Sequence, residues 1–358
     1  MKKVLFLHKD FIKGGGIERV HQNLSIALDG IGVKSLFFVL QGYGDSLEGF
    51  DALSSHREAF RPEKDCNRFN KLITLTKFCK QNQVTSIISA TETANIYACM
   101  LKIVMPSINV IYTRHCAFDV SDQKLSPFTI RLLYNVFALN GKIVGVSKAL
   151  CKDIQTSLLF ARKSNVNFIP NAVVSIDILK SSENNTDGWR FSNYFIAIGR
   201  LVEQKGFDML IDAYALSKKK DPTLPKLVIV GDGVDRKMLE SKITTKNLEH
   251  SIFLAGYTIN PYFALSNAEA FILSSRHEGM PTVLVESLAL NTPVIAFDCP
   301  TGPGELINPK NGLLVDNANV GALSEAITNW SSLPNKNLAE SVEHFHFSVV
   351  ANNYSTLL

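Results

Sequence analysis

Residues 273–287, LSSRHEGMPTVLVES, join the end of an apolar strand to the beginning of a helix. The strand ends at Leu273, a turn that contains Gly279 follows, and Pro281 is expected in the first turn of the helix. Proline suits that position because its missing N–H would have no partner inside the helix. A strand followed by a tight turn and a helix is the repeating unit of parallel α/β sheets, so this stretch favours an α/β fold.

This unit combines free backbone N–H groups with two carboxylates. The N–H groups of Gly279, Met280 and Thr282 lie around the helix start, where they are able to bind an anion. Glu278 precedes the helix, and Glu286 lies about one helical turn after Thr282, on the same side of the helix. Both carboxylates are therefore able to face one crevice. Carboxylates repel phosphate, and we therefore expect them to bind neutral sugar or ribose hydroxyls. The structural alternative is that Glu278 only favours the positive helix end and Glu286 faces solvent.

The alternation of strand-length and helix-length segments continues along the whole chain, which at 358 residues is longer than one domain of ~100–200 residues. We predict a Rossmann-like domain over residues 1–170, a polar linker over 171–190 and a second Rossmann-like domain over 191–340. A C-terminal helix is predicted over 341–358. It is able to pack back on the first domain or to stay with the second.

Five strands are predicted in each half of the chain. In the first half they are Lys3–His8, Val33–Leu40, Val84–Ser89, Asn109–Thr113 and Lys142–Val146. In the second half they are Tyr194–Ile198, Lys226–Val230, Ser251–Leu254, Ala270–Leu273 and Pro293–Phe297.

Composition places the chain among packed globular proteins, with 46% hydrophobic and 20% charged residues. Its apolar runs are strand-sized, whereas a membrane span needs ~20 apolar residues. The six cysteines form no CxxC pair, which argues against a zinc site and a disulfide framework and favours a reducing cytoplasm. Residues 1–170 hold 22 Lys and Arg against 13 Asp and Glu, so the first half is basic and suits anionic partners.

Two further loops follow predicted strands and precede helices. Gly14, Gly15 and Gly16 would let the backbone approach a ligand, with a simple tight turn as the alternative. They do not form G-x-G-x-x-G, and residues 38–41 contain no acid to hold a ribose, which disfavours NAD. In the second loop, GRLVEQKG over 199–206, the cations suit a diphosphate whose charge grows as a bond breaks, unless they are ordinary surface charges.

Together these motifs resemble family-4 glycosyltransferases of the GT-B fold over nearly the whole chain. The resemblance rests on Gly15-Gly16-Ile17-Glu18, Ile169-Pro170-Asn171-Ala172, Gly199-Arg200, Lys205-Gly206 and Glu278-x7-Glu286 with its Gly279-Met280-Pro281. It implies two Rossmann-like doubly wound domains that face a central cleft, with the donor nucleotide on the C-terminal domain and the acceptor on the N-terminal domain. It implies a UDP-sugar donor substrate and no cofactor or essential metal, and the sequence has no Asp-x-Asp.

The resemblance also assigns roles to residues. Arg200 and Lys205 would bind the diphosphate, Glu286 the ribose hydroxyls, and Glu278 with the following amides the transferred sugar. His115 resembles the family histidine near the reaction centre, although a lone histidine is more often structural. The implied catalytic residues are Glu278 and His115. The implied donor-binding residues are Gly15, Gly16, Arg200, Lys205, Glu278, Gly279, Met280, Pro281, Thr282 and Glu286.

One loop departs from the family pattern. Residues 299–306 read CPTGPGEL, where many relatives have Gly-Gly ahead of the acid, and the loop either lines the same crevice or forms a rigid turn. Pro-rich versions look similar to bacterial enzymes that build lipopolysaccharide, capsule or lipid-linked oligosaccharide. The predicted activity is therefore retaining transfer of a hexose or N-acetylhexosamine from a UDP-sugar to a bacterial surface glycan.

The predicted location is the cytoplasm, with the inner face of the cytoplasmic membrane as a further partner surface and no nucleic acid. The apolar pattern Phe128-x3-Leu132-Leu133-x3-Phe137, near Lys124, Arg131 and Lys142, either docks on that membrane or belongs to the core. Two other functions share the Rossmann repeats: a nicotinamide-dependent oxidoreductase, and a non-catalytic sugar-nucleotide-binding protein.

Overall fold

The computed structural model describes residues 2–12, 15–41, 45–62, 67–115, 125–185, 188–258 and 260–358. The chain divides into two compact units. The first unit is Met1–Val173 with Phe345–Leu358, and the second unit is Val174–His344.

The first unit contains, within the described ranges, a seven-stranded parallel sheet. Its strands are β1 (Lys3–His8), β2 (Lys34–Val39), β3 (Ala59–Phe60), β4 (Ser86–Ala90), β5 (Asn109–Arg114), β6 (Lys142–Gly145) and β7 (Val166–Phe168). Its helices are α1 (Gly16–Gly30), α2 (Asp45–Ser54), α3 (Arg68–Gln81), α4 (Glu92–Val104), α5 (Pro127–Asn140) and α6 (Lys148–Ser157). The strand order is β3-β2-β1-β4-β5-β6-β7. Four consecutive residues of β1, Val4 to Leu7, are fully buried, as expected when helices cover both faces of a parallel sheet.

The second unit repeats this plan with six parallel strands among the residues described. Its strands are β8 (Tyr194–Ile198), β9 (Lys226–Val230), β10 (Ile252–Gly256), β11 (Ala270–Leu273), β12 (Val294–Asp298) and β13 (Gly312–Asp316). Its helices are α7 (Ile176–Ser182), α8 (Phe207–Lys220), α9 (Arg236–Thr245), α10 (Tyr262–Ser266), α11 (Thr282–Ala289), α12 (Pro303–Leu306) and α13 (Val320–Thr328). The strand order is β10-β9-β8-β11-β12-β13.

The strand order of each sheet reverses at one point. After β1 the chain adds β2 and β3 on one side, and it then returns to β4 on the other side; β8 and β11 are related in the same way. Open α/β sheets bind ligands beyond the carboxyl ends of the strands at such a switch point. The segments that matter in the second unit are therefore residues 199–206, called the β8 loop below, and residues 274–281, called the β11 loop.

The last helix, α14 (Phe347–Ser355), belongs to the first unit, where it packs on α1. The backbone also ties this segment to the first unit, since Val173 N donates to Phe345 O at 3.1 Å. Asn109 Nδ2 donates to Leu357 O at 2.6 Å.

Of the predicted linker over 171–190, residues 171–173 belong to the first unit, and residues 174–190, which include α7, belong to the second. The reason is visible in the apolar residues of this polar stretch, because Val174 and Ile178 are buried. Ser266 Oγ on α10 also donates to Ser182 O at 3.4 Å, which fixes the end of α7. The C-terminal helix begins at Phe347 rather than at 341.

Four cysteines, Cys79, Cys99, Cys151 and Cys299, are free and buried. The other two, Cys66 and Cys116, lie outside the described residues, as do Gly14 of the glycine motif and Lys124 near the apolar pattern.

Candidate functional site

The β8 loop and the β11 loop are clamped together at the switch point of the second unit. Ser274 Oγ donates to Lys205 O at 2.9 Å, and Arg276 N donates to Gln204 O at 2.8 Å. Gly206 adopts φ +62°, and a Cβ on it would lie 2.1 Å from Ser274 O. The close approach of the two loops therefore requires glycine at this position.

This clamp brings two of the predicted site residues into direct contact. Lys205 Nζ lies 2.6 Å from Glu278 Oε1, and Ser275 Oγ donates to the same carboxylate oxygen at 2.7 Å. Both side chains of the ion pair are largely buried. The crevice thus contains an ammonium group beside a carboxylate whose charge is already compensated, so phosphate is repelled less than the isolated carboxylate would suggest.

An arginine that the sequence did not single out anchors the β11 loop to α8. Arg276 donates two parallel hydrogen bonds to the Asp208 carboxylate, at 2.9 and 2.8 Å, and a third to Glu203 O at 2.7 Å. The Arg276 hydrogen bonds lower the pKa of Asp208 from its usual value. Gln204 Nε2 adds a bond to His277 O at 3.1 Å. Bidentate pairing of this kind fixes orientation, so Arg276 positions the loop that carries the site.

The helix of the quoted stretch begins one residue later than predicted. Pro281 is the N-cap of α11, with φ −70° and ψ 104°, and Thr282 is the first helical residue. The backbone N–H groups of Gly279, Met280 and Thr282 donate to no described residue, as the sequence predicts for an anion site. Glu286 is only 1% exposed, so the alternative of a solvent-facing carboxylate is wrong.

The loop at 299–306 packs against the β11 loop rather than forming an isolated turn. Thr301 Oγ1 donates to Glu278 O, and a Cβ on Gly302 would lie 2.7 Å from Pro281 Cδ. Arg200, in contrast, is exposed, and no ion pair joins it to a described residue. The structure therefore gathers Lys205, Glu278 and the free amides, and leaves Arg200 at the rim.

In the first unit the glycine motif begins α1, with Gly15 as N-cap and Gly16 as the first helical residue. Gly15 N donates to Ile12 O at 3.0 Å, and the Glu18 carboxylate turns back to accept from Ile12 N at 3.3 Å. Burial raises the pKa of Glu18 above its usual value. The helix start thus faces the chain's own carboxylate, which sequence spacing did not indicate.

A cluster of three histidines lies near the switch point of the first unit. His8 ends β1, His115 follows β5, and His21 Nδ1 lies 2.9 Å from His8 Nε2. Thr113 Oγ1 lies 2.7 Å from Ser89 O and 2.9 Å from His115 Nε2, so the hydroxyl that donates to Ser89 O pairs with the tautomer that carries its proton on Nε2. In this tautomer His115 Nδ1 carries a lone pair, and this buried atom has no partner among the described residues. In that tautomer the arrangement suits acceptance of a hydrogen bond from a hydroxyl group.

The histidine cluster predicts a loss of stability in acid. Burial and Arg114 lower the pKa of His115 to about 4, and burial with His115 lowers that of His8 to about 3. Burial also lowers the pKa of His21 well below its usual value of about 6.5. Between pH ~6.5 and ~4 the unfolded chain binds protons that the folded chain does not, so the free energy of unfolding falls as pH decreases, by about 1.4 kcal/mol per pH unit for each histidine.

Urea unfolding of the wild type and of His115→Asn between pH 7 and 4.5 measures this effect. We expect a shallower slope in the variant, and a wild-type slope in the variant His56→Gln, which alters an exposed histidine. Identical slopes in all three proteins would contradict the role of the cluster.

Within the described ranges, no group of three or more His, Cys, Asp or Glu side chains has the geometry to hold a metal ion. None of the helices formed by those residues is both long and apolar enough to cross a bilayer.

Comparisons with known proteins agree with this geometry. The family model of glycosyl transferases group 1 matches residues 185–344, which include the β8 and β11 loops. The amylovoran biosynthesis glycosyltransferase AmsD of Erwinia amylovora is 30% identical over 322 residues, covering 88% of this chain and 86% of AmsD. An uncharacterized glycosyltransferase of Methanocaldococcus jannaschii is 33% identical over 207 residues, covering 56% of this chain and 50% of that protein, so the chain spans about half the length of this relative.

The fold comparison extends over both units. The crystal structure of HepE from Anabaena in complex with UDP and glucose superposes with a TM-score of 0.78 at 18% identity, over 99% of each chain. Two Rossmann-like parallel-sheet domains of this kind form the GT-B fold. The nicotinamide alternative has no support from these matches. Because a relative at 30% identity is covered almost from end to end and the group 1 model spans the candidate site, the chain belongs to the group 1 glycosyl transferases.

Proposed function

We propose that the chain is a retaining glycosyltransferase of family 4 that moves a hexose or N-acetylhexosamine from a UDP-sugar to a bacterial surface glycan. The observation that carries the proposal is the pairing of Lys205 with Glu278 beside free backbone amides at the switch point of the second unit. A sugar diphosphate needs both kinds of group, cations and amides for the phosphates and a carboxylate for the sugar hydroxyls. The named relatives support the substrates, since HepE binds UDP and glucose and AmsD belongs to amylovoran biosynthesis.

The residues divide the work as follows. Lys205 and Arg200 neutralise the diphosphate, together with the amides of the β11 loop. Glu278 binds hydroxyls of the transferred sugar, and Glu286 binds the ribose. His115 contacts the donor sugar near the reaction centre, where Nδ1 accepts a hydrogen bond from a sugar hydroxyl. Gly15 and Gly16 contribute backbone groups to donor binding.

In the reaction, the bond between the anomeric carbon and the leaving diphosphate oxygen breaks, and a bond from the same carbon to the acceptor oxygen forms. The acceptor proton passes to the leaving diphosphate on the same face, which retains the configuration. Negative charge grows on the leaving group during this step, so its stabilisation by Lys205 is the largest electrostatic contribution. No metal is required for the step. The acceptor is a growing lipopolysaccharide, capsule or lipid-linked glycan at the inner face of the cytoplasmic membrane.

A panel of UDP-sugars tests the proposal without knowledge of the acceptor. Slow hydrolysis of one UDP-sugar to UDP, together with a rise in Tm caused by UDP and not by NAD, is the expected result. Stabilisation by NAD alone, or UDP release from no sugar nucleotide, would refute the activity. Analysis of the anomeric configuration of the product by NMR tests retention, and an inverted product would exclude it.

Glu278→Gln is expected to lower kcat/KM for the preferred UDP-sugar by about tenfold to a hundredfold, because a neutral amide binds sugar hydroxyls less strongly than a carboxylate does. The matched control is Glu240→Gln, which removes an exposed carboxylate on α9 and should leave kcat/KM unchanged. Initial rates of UDP release measure both variants. A Glu278→Gln rate within twofold of the wild type would remove Glu278 from the donor site.

A further inference from the structure

Helix α5 of the first unit is apolar on two opposite sides, and the described residues cover only one of them. The covered side belongs to the core and consists of Ile130, Tyr134, Phe137 and Ala138. The other side consists of Phe128, Leu132, Val136 and Leu139, and all four are exposed, Phe128 to 76%. Their spacing of four, four and three residues places them on one stripe along the helix. A globular helix usually turns polar residues outward, so this stripe is an unpartnered apolar surface.

A second exposed apolar segment lies directly beside this stripe. Leu159 and Phe160 follow α6, and Leu159 is 82% exposed. The backbone of this segment is held in place, because the buried Asn135 side chain forms hydrogen bonds with it. Asn135 Oδ1 accepts from Leu159 N at 2.7 Å and from Phe160 N at 3.4 Å, and its Nδ2 donates to Ser157 O at 3.0 Å.

Asn135 lies between the exposed stripe of α5 and the exposed segment 159–160. It lies three residues after Leu132 and four before Leu139, so it borders the stripe on the helix surface. Asn165 Nδ2 ties the far end of the same segment to α5 by donating to Ala138 O at 2.7 Å. The exposed side chains of α5 and of residues 159–160 therefore form one continuous surface, called the apolar face below.

The charge around the apolar face is strongly one-sided. Residues 125–168 contain six Lys and Arg and a single acid, Asp153. Arg162 and Lys163, which directly follow the exposed segment, are themselves exposed, as is Lys152 on α6. Apolar side chains flanked by cations bind anionic lipid surfaces through insertion and charge attraction together.

We propose that the apolar face docks the first unit on an anionic bilayer, with Leu159 and Phe160 inserted at the level of the headgroups and Arg162 and Lys163 against lipid phosphates. Charge decides between this partner and a second copy of the chain. A two-fold contact would place the same cations opposite one another, which opposes association. The proposed function supplies only the reason for docking, since a lipid-borne acceptor is presented at the bilayer surface.

Single-tryptophan substitutions test the contact directly. Phe160→Trp and Phe128→Trp are each mixed with vesicles of phosphatidylglycerol and brominated phosphatidylcholine, and tryptophan fluorescence is recorded. The matched control is Val234→Trp in the second unit, at a residue 88% exposed, with the native Trp189 and Trp330 as background. We expect bromolipid to quench the two first-unit tryptophans at least twofold more than the control. Equal quenching in all three proteins would overturn the proposal.

Binding itself is measured by cosedimentation with the same lipids. The triple variant Phe128→Ser, Leu159→Ser and Phe160→Ser should lose at least about tenfold in affinity for anionic vesicles, and 0.5 M salt should weaken wild-type binding because it screens the cations. Equal wild-type binding to pure phosphatidylcholine would refute the charge argument. A wild-type dimer that the triple variant converts to a monomer would show that a second copy covers the face, and would refute the lipid partner.

The same variant separates this inference from the proposed function. None of the three residues lies in the proposed donor site, so hydrolysis of a soluble UDP-sugar by the triple variant should match the wild type. Vesicle binding without UDP release from any sugar nucleotide would support the docking surface while contradicting the enzyme activity. UDP release without vesicle binding would contradict the docking surface alone.

Discussion

Lys205→Met is expected to lower kcat for sugar transfer by about a hundredfold to a thousandfold. The variant keeps the length of the side chain but removes the ammonium group that lies 2.6 Å from Glu278. Two effects add: the leaving diphosphate loses its main cation, and the Glu278 carboxylate is no longer compensated where phosphate must approach. Rates of UDP release at saturating donor measure the loss. Lys219→Met, on the exposed end of α8, removes the same charge away from the site and should leave kcat unchanged.

A double-mutant cycle distinguishes the two effects. If Lys205 acts mainly by neutralising the carboxylate, Lys205→Met combined with Glu278→Gln should recover most of kcat. If Lys205 acts on the diphosphate, as we propose, the double variant should be no faster than Lys205→Met alone. Recovery to within about threefold of Glu278→Gln would assign the lysine a purely compensating role.

Gly206→Ala is expected to destabilise the second unit by about 2–4 kcal/mol and to abolish most activity. At φ +62° an alanine is strained, and its Cβ would lie 2.1 Å from Ser274 O, so the two loops must separate. Separation would break the Ser274 to Lys205 hydrogen bond and move Lys205 away from Glu278. Urea unfolding gives the change in free energy, and kcat/KM for the UDP-sugar gives the functional loss.

Gly188→Ala provides a control with the same backbone strain and no steric clash. Gly188 has φ +64°, and no atom lies within 4 Å of a Cβ built on it. We expect it to cost about 1 kcal/mol and to leave kcat/KM unchanged. Equal destabilisation by the two substitutions would mean that backbone strain alone explains the loss of stability in Gly206→Ala, and that the contact between the loops does not contribute to it.

The sequence predicted the central strands well because their apolar runs are buried on both faces. β8, β9 and β11 have the predicted bounds, whereas the two-residue strand β3 and the edge strand β7 carry too little apolar periodicity to be recognised. Helix α5 was predicted less well. Phe128 and Phe137 are nine residues apart, which is half a turn in angle, so the predicted pattern joins the exposed Phe128 and Leu132 to the buried Phe137 on the opposite side.

The sequence indicated the two loops of the candidate site but not the contacts between their side chains. Strand–loop–helix spacing indicated the β8 and β11 loops, and the strand order places both at one switch point. The direct contact of Lys205 with Glu278 spans 73 residues of sequence and follows only from the packing of the loops. For the same reason the sequence did not indicate the role of Arg276, whose partner Asp208 is 68 residues away. The pairing of His8 with His21 depends on the packing of α1 against β1.

The return of α14 to the first unit determines the order in which the two units become complete during translation. Residues 345–355 leave the ribosome only after all of residues 174–344 have been made. Until then the surface of α1 that packs on α14 stays uncovered. The first unit can therefore be completed only after the whole of the second unit has been synthesised, although its own sheet comes first along the chain.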